Sequence, residues 1–151
     1  MNFRKATRED VTAIVEMIAD DELGKTRENL IDPLPEEYYI AFERIKKDSN
    51  QELIIVENDD NQIVGTLQLS FIQYLTYKGG IRAQIEAVRI KKNQRGLGLG
   101  KTMINWVITR AQERNAHLVQ LTTDKKRQQA IKFYEDLGFN STHEGMKMHL
   151  K

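Results

Sequence analysis

The sequence contains no cysteine, and this absence excludes several kinds of site. Without thiols the chain cannot form disulfides, bind zinc through cysteine, or use a cysteine nucleophile. Proline occurs only twice, and no apolar run approaches the roughly 18 residues that a membrane-spanning helix needs. The first residues also lack the apolar core of a signal peptide. We therefore expect a cytoplasmic protein.

An excess of charge of either sign is also missing. Lys and Arg number 23, Asp and Glu number 22, and the net charge is +1. So balanced a composition argues against nucleic acid or a membrane as partner. His117, His143 and His149 lack the spacing of metal ligands, so no metal is expected. The 151 residues are the length of a single domain, and we expect one over residues 1–151.

Hydrophobic periodicity predicts an α/β chain with about four helices on both faces of a mixed sheet. Helices are expected to begin near Arg8, Pro35, Leu99 and Lys126, and strands to cover residues 1–7, 53–56, 63–71, 81–90 and 117–122. In the strand over residues 81–90, Ile81, Ala83, Ile85 and Ala87 alternate with Arg82, Gln84, Glu86 and Val88. A terminal hairpin expected over residues 139–150 would bring the sheet to six or seven strands. The long polar loop at residues 20–35 is of a length that is often functional.

The most informative segment, residues 94–102, has three alternate glycines between a strand and a helix. Gly96, Gly98 and Gly100 let the backbone turn tightly and let a ligand approach its amides. Exposed N–H groups at a helix N-terminus bind anions, and Arg95 and Lys101 add positive charge. The segment therefore predicts a site for a phosphate-bearing ligand rather than a simple connecting turn.

Two common phosphate-binding motifs do not fit this segment. The nucleotide P-loop motif ends correctly at residues 100–102, but Arg95 stands where its first glycine is required. The dinucleotide motif fits Gly96 and Gly98 and then meets Lys101 in place of its third glycine.

A third pattern does fit. Residues 95–100 read R-x-x-G-x-G and resemble motif A of the GNAT N-acetyltransferase superfamily. Residues 130–139 read A-x-x-x-Y-x-x-x-G-F and resemble the second signature of that superfamily, in the same order and at the same spacing. The element order also resembles that of GNAT proteins, so the resemblance covers most of the chain. It implies a twisted, mostly antiparallel sheet in which the parallel strands at 81–90 and 117–122 splay apart.

The resemblance implies acetyl-coenzyme A as acyl donor and a primary amine as acceptor. The implied cofactor-binding residues lie on the glycine loop, on the preceding strand and before the last helix: Val88, Ile90, Arg95, Gly96, Gly98, Gly100, Lys101, Thr102 and Arg127. Arg127 departs from the asparagine of many relatives, although an arginine can reach phosphate. Because no cysteine can carry the acetyl group, we expect direct attack in a ternary complex. The resemblance also allows a homodimer.

Two residues are candidates for acid–base chemistry. Tyr134 matches the family tyrosine that points at the coenzyme sulfur, and a tyrosine hydroxyl stays protonated at neutral pH. Its position on the apolar face of the predicted helix, taken alone, is equally typical of a tyrosine in the hydrophobic core. Glu86, expected to share a sheet face with Val88, is the candidate base. The alternative for Glu86 is an exposed carboxylate paired with Arg82 or a lysine.

The acceptor site is expected to form from the loop at residues 20–35, from the adjacent Tyr38 and Tyr39 and from the terminal hairpin. Tyr38 and His143 are the candidate substrate-binding residues, and the alternative for His143 is an ordinary surface histidine. The acidic run Asp20, Asp21 and Glu22 either attracts a cationic amine or simply faces water. The expected activity is acetylation of a small amine, such as an amino acid, or of a peptide N-terminus. A protein N-terminal or lysine acetyltransferase and a non-catalytic acyl-CoA sensor are the alternatives.

Overall fold

The computed structural model describes residues 1–21 and 24–150 and contains two compact units, Met1–Gln120 and Leu121–Lys151. The strands of the described residues are β1 (Asn2–Lys5), β2 (Gln51–Glu57), β3 (Ile63–Gln73), β4 (Ile81–Ile90) and β5 (Ala116–Leu121). The helices are α1 (Val11–Ala19), α2 (Glu36–Lys47), the short α3 (Thr76–Gly79), α4 (Leu99–Glu113) and α5 (Gln128–Asp136). Two 3-10 turns, Arg8–Asp10 and Lys92–Gln94, precede α1 and α4.

The strands form one mixed sheet in the order β1-β2-β3-β4-β5. The first four strands pair antiparallel with their neighbours. Two side-chain contacts between β4 and β5 show that residue numbers increase in the same direction along both strands. His117 Nδ1 lies 2.8 Å from Ile81 O, and Gln120 Nε2 donates to Gln84 Oε1 at 2.7 Å. The two strands therefore run parallel, as the family resemblance implied.

Helices of the first unit cover both faces of the sheet, which confirms the predicted layers. On one face Trp106 of α4 stacks on Phe3 of β1, with ring centroids 4.8 Å apart. On the other face Val11 of α1 and Phe42 of α2 are buried in a cluster against Leu53 of β2. Both contacts bury apolar surface, the main source of stability of such a layered fold.

Two buried carboxylates connect these helices to the sheet through arginines. Arg110 Nη2 and Arg114 Nη1 of α4 donate to Glu52 Oε1 of β2 at 2.6 and 2.8 Å. Arg4 of β1 donates to both oxygens of Asp10, just before α1, at 2.6 and 2.9 Å. The guanidinium of Arg4 lowers the pKa of Asp10 below its ordinary value.

β4 contains a one-residue bulge where the apolar positions change from odd to even numbers, between Ala87 and Val88, a change that the predicted alternation overlooked. Thr66 of β3 pairs with Arg89, whereas Gln68 pairs with Glu86, so β4 has one residue more than β3 over this span. Ala87 in this stretch has a φ of +50°, which is rare for a residue with a side chain. Such an insertion leaves one residue out of the ladder and increases the local twist.

The bulge reverses the alternation of faces along β4. Ile85 and Ile90 both pair with odd-numbered residues of β3 and so lie on one face, although one position is odd and the other even. The shared face expected for Glu86 and Val88 is therefore wrong, because the inserted residue lies between them. The pairing register decides this point, and the adjacent apolar residues Ala87 and Val88 are the signal in the sequence that could have indicated it.

The terminal hairpin expected over residues 139–150 is also wrong, since none of these residues is in a strand. Met146, Met148 and Leu150 do alternate with polar residues, but a strand requires a neighbouring edge to receive its backbone hydrogen bonds. All three side chains are exposed. The described sheet accordingly has five strands rather than six or seven.

Candidate functional site

The glycine loop predicted from the sequence joins β4 to α4. After the turn Lys92–Gln94 the chain reaches Gly98, which is the N-cap of α4 and has a φ of +79°. Gly96 has the same φ, in the left-handed region that glycine adopts without strain. No side chain of the described residues caps α4, so its first amides are left to water or to a ligand.

Positive charge surrounds this helix N-terminus. Arg95 Nε donates to Ile90 O at 3.0 Å, which holds the arginine against the end of β4. Lys92 and Lys101 are exposed and form no ion pair within the described part of the chain. Thr102, in the first turn of α4, donates to Gly98 O at 3.5 Å. Free amides beside the unpaired Lys92 and Lys101 suit an anion such as phosphate, whereas Arg95 shares its charge with Asp20.

The second half of β4 has an open edge. His117 lies beside Ile81 and Gln120 lies beside Gln84, so the two parallel strands keep a constant offset. The last residue of β5, Leu121, therefore lies beside Ile85. β4 continues to Ile90 with no described strand on that side. Val88 and Ile90 are half-buried on this stretch, which also contains the bulge. An extended ligand can bond to such an edge in the manner of an added strand.

Glu86 lies at the start of this open edge with its carboxylate exposed. The carboxylate accepts a hydrogen bond from Gln84 Nε2 at 3.1 Å. Arg82, the ion-pair partner considered from the sequence, instead places its guanidinium 4.3 Å from the ring centroid of Tyr74. Glu86 therefore has no ion pair with Arg82 and stays accessible to a substrate.

Sequence reasoning missed two contacts that connect the end of α1 to this site. Asp20 accepts a hydrogen bond from Arg95 Nη2 at 3.1 Å, and Asp21 accepts one from Arg89 Nη2 at 3.3 Å. The acidic run is thus engaged by arginines instead of facing water alone, and its third member, Glu22, lies outside the described residues. The two partners are separated by 75 positions in the first contact and by 68 in the second, so no short-range pattern in the sequence signals either contact.

Tyr38, a predicted substrate-binding residue, uses its hydroxyl within the protein. The hydroxyl donates to Glu28 Oε2 and accepts from the backbone N–H of Asn29, both at 2.9 Å. Burial is the largest influence on the pKa of Tyr38 and raises it. The residue thereby anchors the polar loop to α2.

The polar loop also lines an open pocket of about 360 Å³ with α1 and α2. Its lining consists of Thr12, Glu16, Leu30, Ile31, Asp32, Pro33, Leu34 and Tyr39. Thr12 and Glu16 belong to the exposed side of α1, whose buried residues face the other way. The pocket therefore lies on the side of α1 away from the sheet.

The second unit contains the candidate acid. Tyr134 lies on α5, and its half-buried ring meets Phe133 and Phe139 edge-on at centroid distances of 5.1 and 5.7 Å. Arg127 is the N-cap residue of α5 and donates its backbone N–H to Asp124 O at 2.9 Å.

His143 of the second unit is exposed, and its Nδ1 lies 2.7 Å from the Thr142 hydroxyl oxygen. The described residues contain no group of three or more His, Asp or Glu side chains arranged to hold a metal ion. No helix among them is long and apolar enough to cross a membrane.

Known proteins resemble this chain along most of its length. A model of the acetyltransferase (GNAT) family matches residues 15–139. A crystal structure named a transcriptional regulator, from Bacillus halodurans C-125, is 52% identical over 99% of both chains, with a TM-score of 0.94. A predicted acetyltransferase from Clostridium acetobutylicum, crystallised with acetyl-CoA, is 26% identical over 99% of this chain and 96% of that chain, with a TM-score of 0.75. Glucosamine-6-phosphate N-acetyltransferase from Arabidopsis thaliana shares the fold at 19% identity over 99% and 98% of the two chains, with a TM-score of 0.77.

Proposed function

Because the chain belongs to the acetyltransferase (GNAT) family, we propose that it transfers the acetyl group of acetyl-CoA to a primary amine of a small molecule or a peptide N-terminus. The observation that carries this proposal is the uncapped N-terminus of α4 behind Gly98, at the end of the open edge of β4. Its amides, with Arg95 and Lys101, suit the pyrophosphate. The edge at Val88 suits the amide-containing pantetheine arm. The relative crystallised with acetyl-CoA supports the same donor.

The proposed reaction is a direct transfer. The amine nitrogen attacks the thioester carbonyl carbon, the C–S bond breaks, and the thiolate leaves with a proton. Glu86 first takes a proton from the substrate ammonium through a water molecule, which frees the amine to attack, and the Tyr134 hydroxyl gives a proton to the departing thiolate. The sequence has no cysteine to carry the acetyl group between two steps, which supports attack within a ternary complex.

The proposal is tested by measuring free coenzyme A released from acetyl-CoA over a panel of amino acids, other small primary amines and peptides with free N-termini. Release with an amino acid but not with a peptide would identify a small-molecule enzyme, and the reverse would identify a peptide acetyltransferase. Acetyl-CoA binding without release over the whole panel would overturn the transfer. That result would favour a non-catalytic acyl-CoA sensor, and a regulatory role of some kind agrees with the name of the Bacillus halodurans relative, a transcriptional regulator.

Replacing Gly98 with aspartate is expected to abolish tight acetyl-CoA binding without unfolding the chain. Aspartate tolerates the left-handed region better than most residues and is a good helix N-cap, and a Cβ at Gly98 meets no atom within 4 Å. Its charge, however, stands where the pyrophosphate is proposed to bind. Gly98→Asn is the matched neutral control. We expect the dissociation constant of Gly98→Asp to exceed that of the control by at least about tenfold, or about 1.4 kcal/mol; equal constants would contradict an anion site here.

Replacing Glu86 with glutamine is expected to lower kcat by about 10²-fold, the lower end of the usual range for acid–base catalysis. The substitution is also expected to remove the fall in rate on the acidic side of the pH–rate profile, because glutamine cannot accept the proton. The KM for acetyl-CoA should stay within about twofold. Asp60→Asn, in an exposed turn, serves as the control. An unchanged pH profile would remove Glu86 from the mechanism.

A further inference from the structure

Three polar side chains form a hydrogen-bonded network that joins β5 to β4 and ends on the candidate base. Gln120 Nε2 of β5 donates to Gln84 Oε1 of β4 at 2.7 Å, and Gln84 Nε2 donates to Glu86 Oε1 at 3.1 Å. We name these three residues the glutamine network. All of them lie in the first unit, Met1–Gln120, so the network consists of contacts within that unit.

The pairing of the strands explains why these side chains meet. Gln84 and Glu86 are two residues apart on β4, before its bulge, so both side chains lie on the same face of the sheet. Two residues span about 7 Å along a strand, a distance that a glutamine side chain can cross. Parallel pairing brings Gln120 of β5 beside Gln84. The amide of Gln84 therefore lies between its two partners.

The hydrogen-bonding capacity of each group fixes the direction of the network. An ionised carboxylate only accepts hydrogen bonds, so Glu86 requires the amide nitrogen of Gln84 on its side. The carbonyl oxygen of Gln84 then faces β5, and because that oxygen also only accepts, Gln120 has to present its own N–H group. Gln120 therefore determines which end of the Gln84 amide faces Glu86, through a hydrogen bond to the other end of that amide.

Support for the Glu86 carboxylate comes from this network. On β3 the residue opposite Glu86 is Gln68, and its amide donates to Gln51 Oε1 at 2.7 Å rather than to Glu86. Within the described residues Gln84 is the hydrogen-bond partner of the carboxylate. A hydrogen bond to a charged group is shorter and stronger than one between neutral groups. It also opposes the rotamer freedom that a long glutamate side chain otherwise has.

We propose that Gln84 and Gln120 are positioning residues of the acetyl transfer, which hold the Glu86 carboxylate in the orientation from which it takes the proton of the substrate ammonium. The inference rests on the proposed function for the role of Glu86. A base that is already oriented needs no ordering when the substrate binds, and such orientation contributes to the rate of the chemical step. The two glutamines should therefore affect kcat more than the KM for acetyl-CoA.

The first test removes the glutamine that contacts Glu86. Gln84→Met retains the length of the side chain without its hydrogen bonds, and we expect kcat to be about tenfold lower, with the KM for acetyl-CoA within about twofold. Gln51→Met is the matched control, because Gln51 Oε1 accepts from Gln68 and Gln51 Nε2 donates to Asp48 Oδ2 at 3.0 Å, the same arrangement on β2. Wild-type kcat in Gln84→Met, or an equal loss in Gln51→Met, would overturn the proposal.

The second test reverses the direction of the network from β5. Gln120→Glu has no side-chain N–H group and can only accept from Gln84, which turns the carbonyl oxygen of Gln84 toward Glu86. Gln120→Lys still donates to that oxygen and retains the native direction. We expect kcat to be about tenfold lower in Gln120→Glu than in Gln120→Lys. The comparison is repeated in Gln84→Met, where a difference that acts through the network disappears; a difference that persists there would show a direct effect of charge and would overturn the proposal.

A spectroscopic readout separates the network from the mechanism. The side-chain amide signals of Gln84 are identified by NMR from their absence in Gln84→Met. They should shift in Glu86→Gln and in Gln120→Glu and stay in place in Gln51→Met, and signals that respond to neither partner would overturn the network. With the network present, wild-type kcat in Glu86→Gln would overturn the catalytic role of Glu86 and its positioning together. A lower kcat in Glu86→Gln with wild-type kcat in Gln84→Met would overturn the positioning alone.

Discussion

Replacing Tyr134 with phenylalanine is expected to lower kcat by about 10²–10³-fold with a competent amine, because the departing thiolate loses its proton donor. The KM for acetyl-CoA should change little, since the hydroxyl acts on charge that develops only in the transition state. Steady-state release of coenzyme A measures both constants.

The substitution is conservative for folding. The Tyr134 ring packs edge-on against Phe133 and Phe139, and phenylalanine retains both contacts. Tyr39→Phe is the matched control for kcat, because within the described residues the Tyr39 hydroxyl contacts Thr12 at 3.4 Å and it is not proposed as a proton donor or acceptor. Wild-type turnover in Tyr134→Phe would show that water or another group protonates the thiolate.

Replacing Glu52 with glutamine is expected to lower the free energy of unfolding by about 3 kcal/mol at neutral pH. The carboxylate is almost fully buried and accepts from Arg110 through both oxygens, at 2.6 and 2.9 Å. A glutamine amide would direct N–H groups at a guanidinium that has only N–H groups to offer. Urea unfolding measures the loss.

Glu113→Gln is a close control, because Glu113 also pairs with Arg110, at 2.8 Å, but is exposed. Exposed pairs of this kind contribute about 0–1 kcal/mol. A loss in Glu52→Gln no larger than in Glu113→Gln would contradict a stabilising role for the buried carboxylate.

Stability should depend on pH through the same residue. Burial alone would raise the pKa of Glu52, but hydrogen bonding and the charge of Arg110 outweigh it, and the pKa falls below its ordinary value. Its contribution is therefore fully present above the ordinary pKa of glutamate, about 4.3, and is lost as the pH falls through the lowered value. The difference in free energy of unfolding between the wild type and Glu52→Gln should therefore become smaller as the pH falls through that acidic range.

Much of the fold and the glycine loop followed from the sequence, because both rest on local patterns. Helical spacing identified the buried positions Val11 and Ile14, and alternate glycines marked the turn into α4. The family assignment followed from two motifs in order. These signals depend on neighbouring residues, and tertiary packing reinforced them.

What the sequence did not predict depends on contacts between distant residues. The alternation of residues 139–150 is strand-like, yet no strand forms there, because a strand requires an edge as well as a pattern. Tyr38 appeared free to contact a substrate, but Glu28 and Asn29 engage its hydroxyl. Asp20 binds Arg95, and nothing local signals that partner.

The inserted residue at Ala87 changes which substitutions β4 can accept. Before it, odd-numbered positions such as Ala83 and Ile85 are buried; after it, the even-numbered Ile90 lies on their side of the sheet. A polar replacement at Ile90 would thus disturb the interior, whereas one at Gln84 would not. Deleting the extra residue would make the two spans equal in length and leave Arg89 opposite Thr66, so both halves of β4 would keep their faces and the bulge with its added twist would be lost. The bulge therefore sets the direction in which β4 enters the glycine loop.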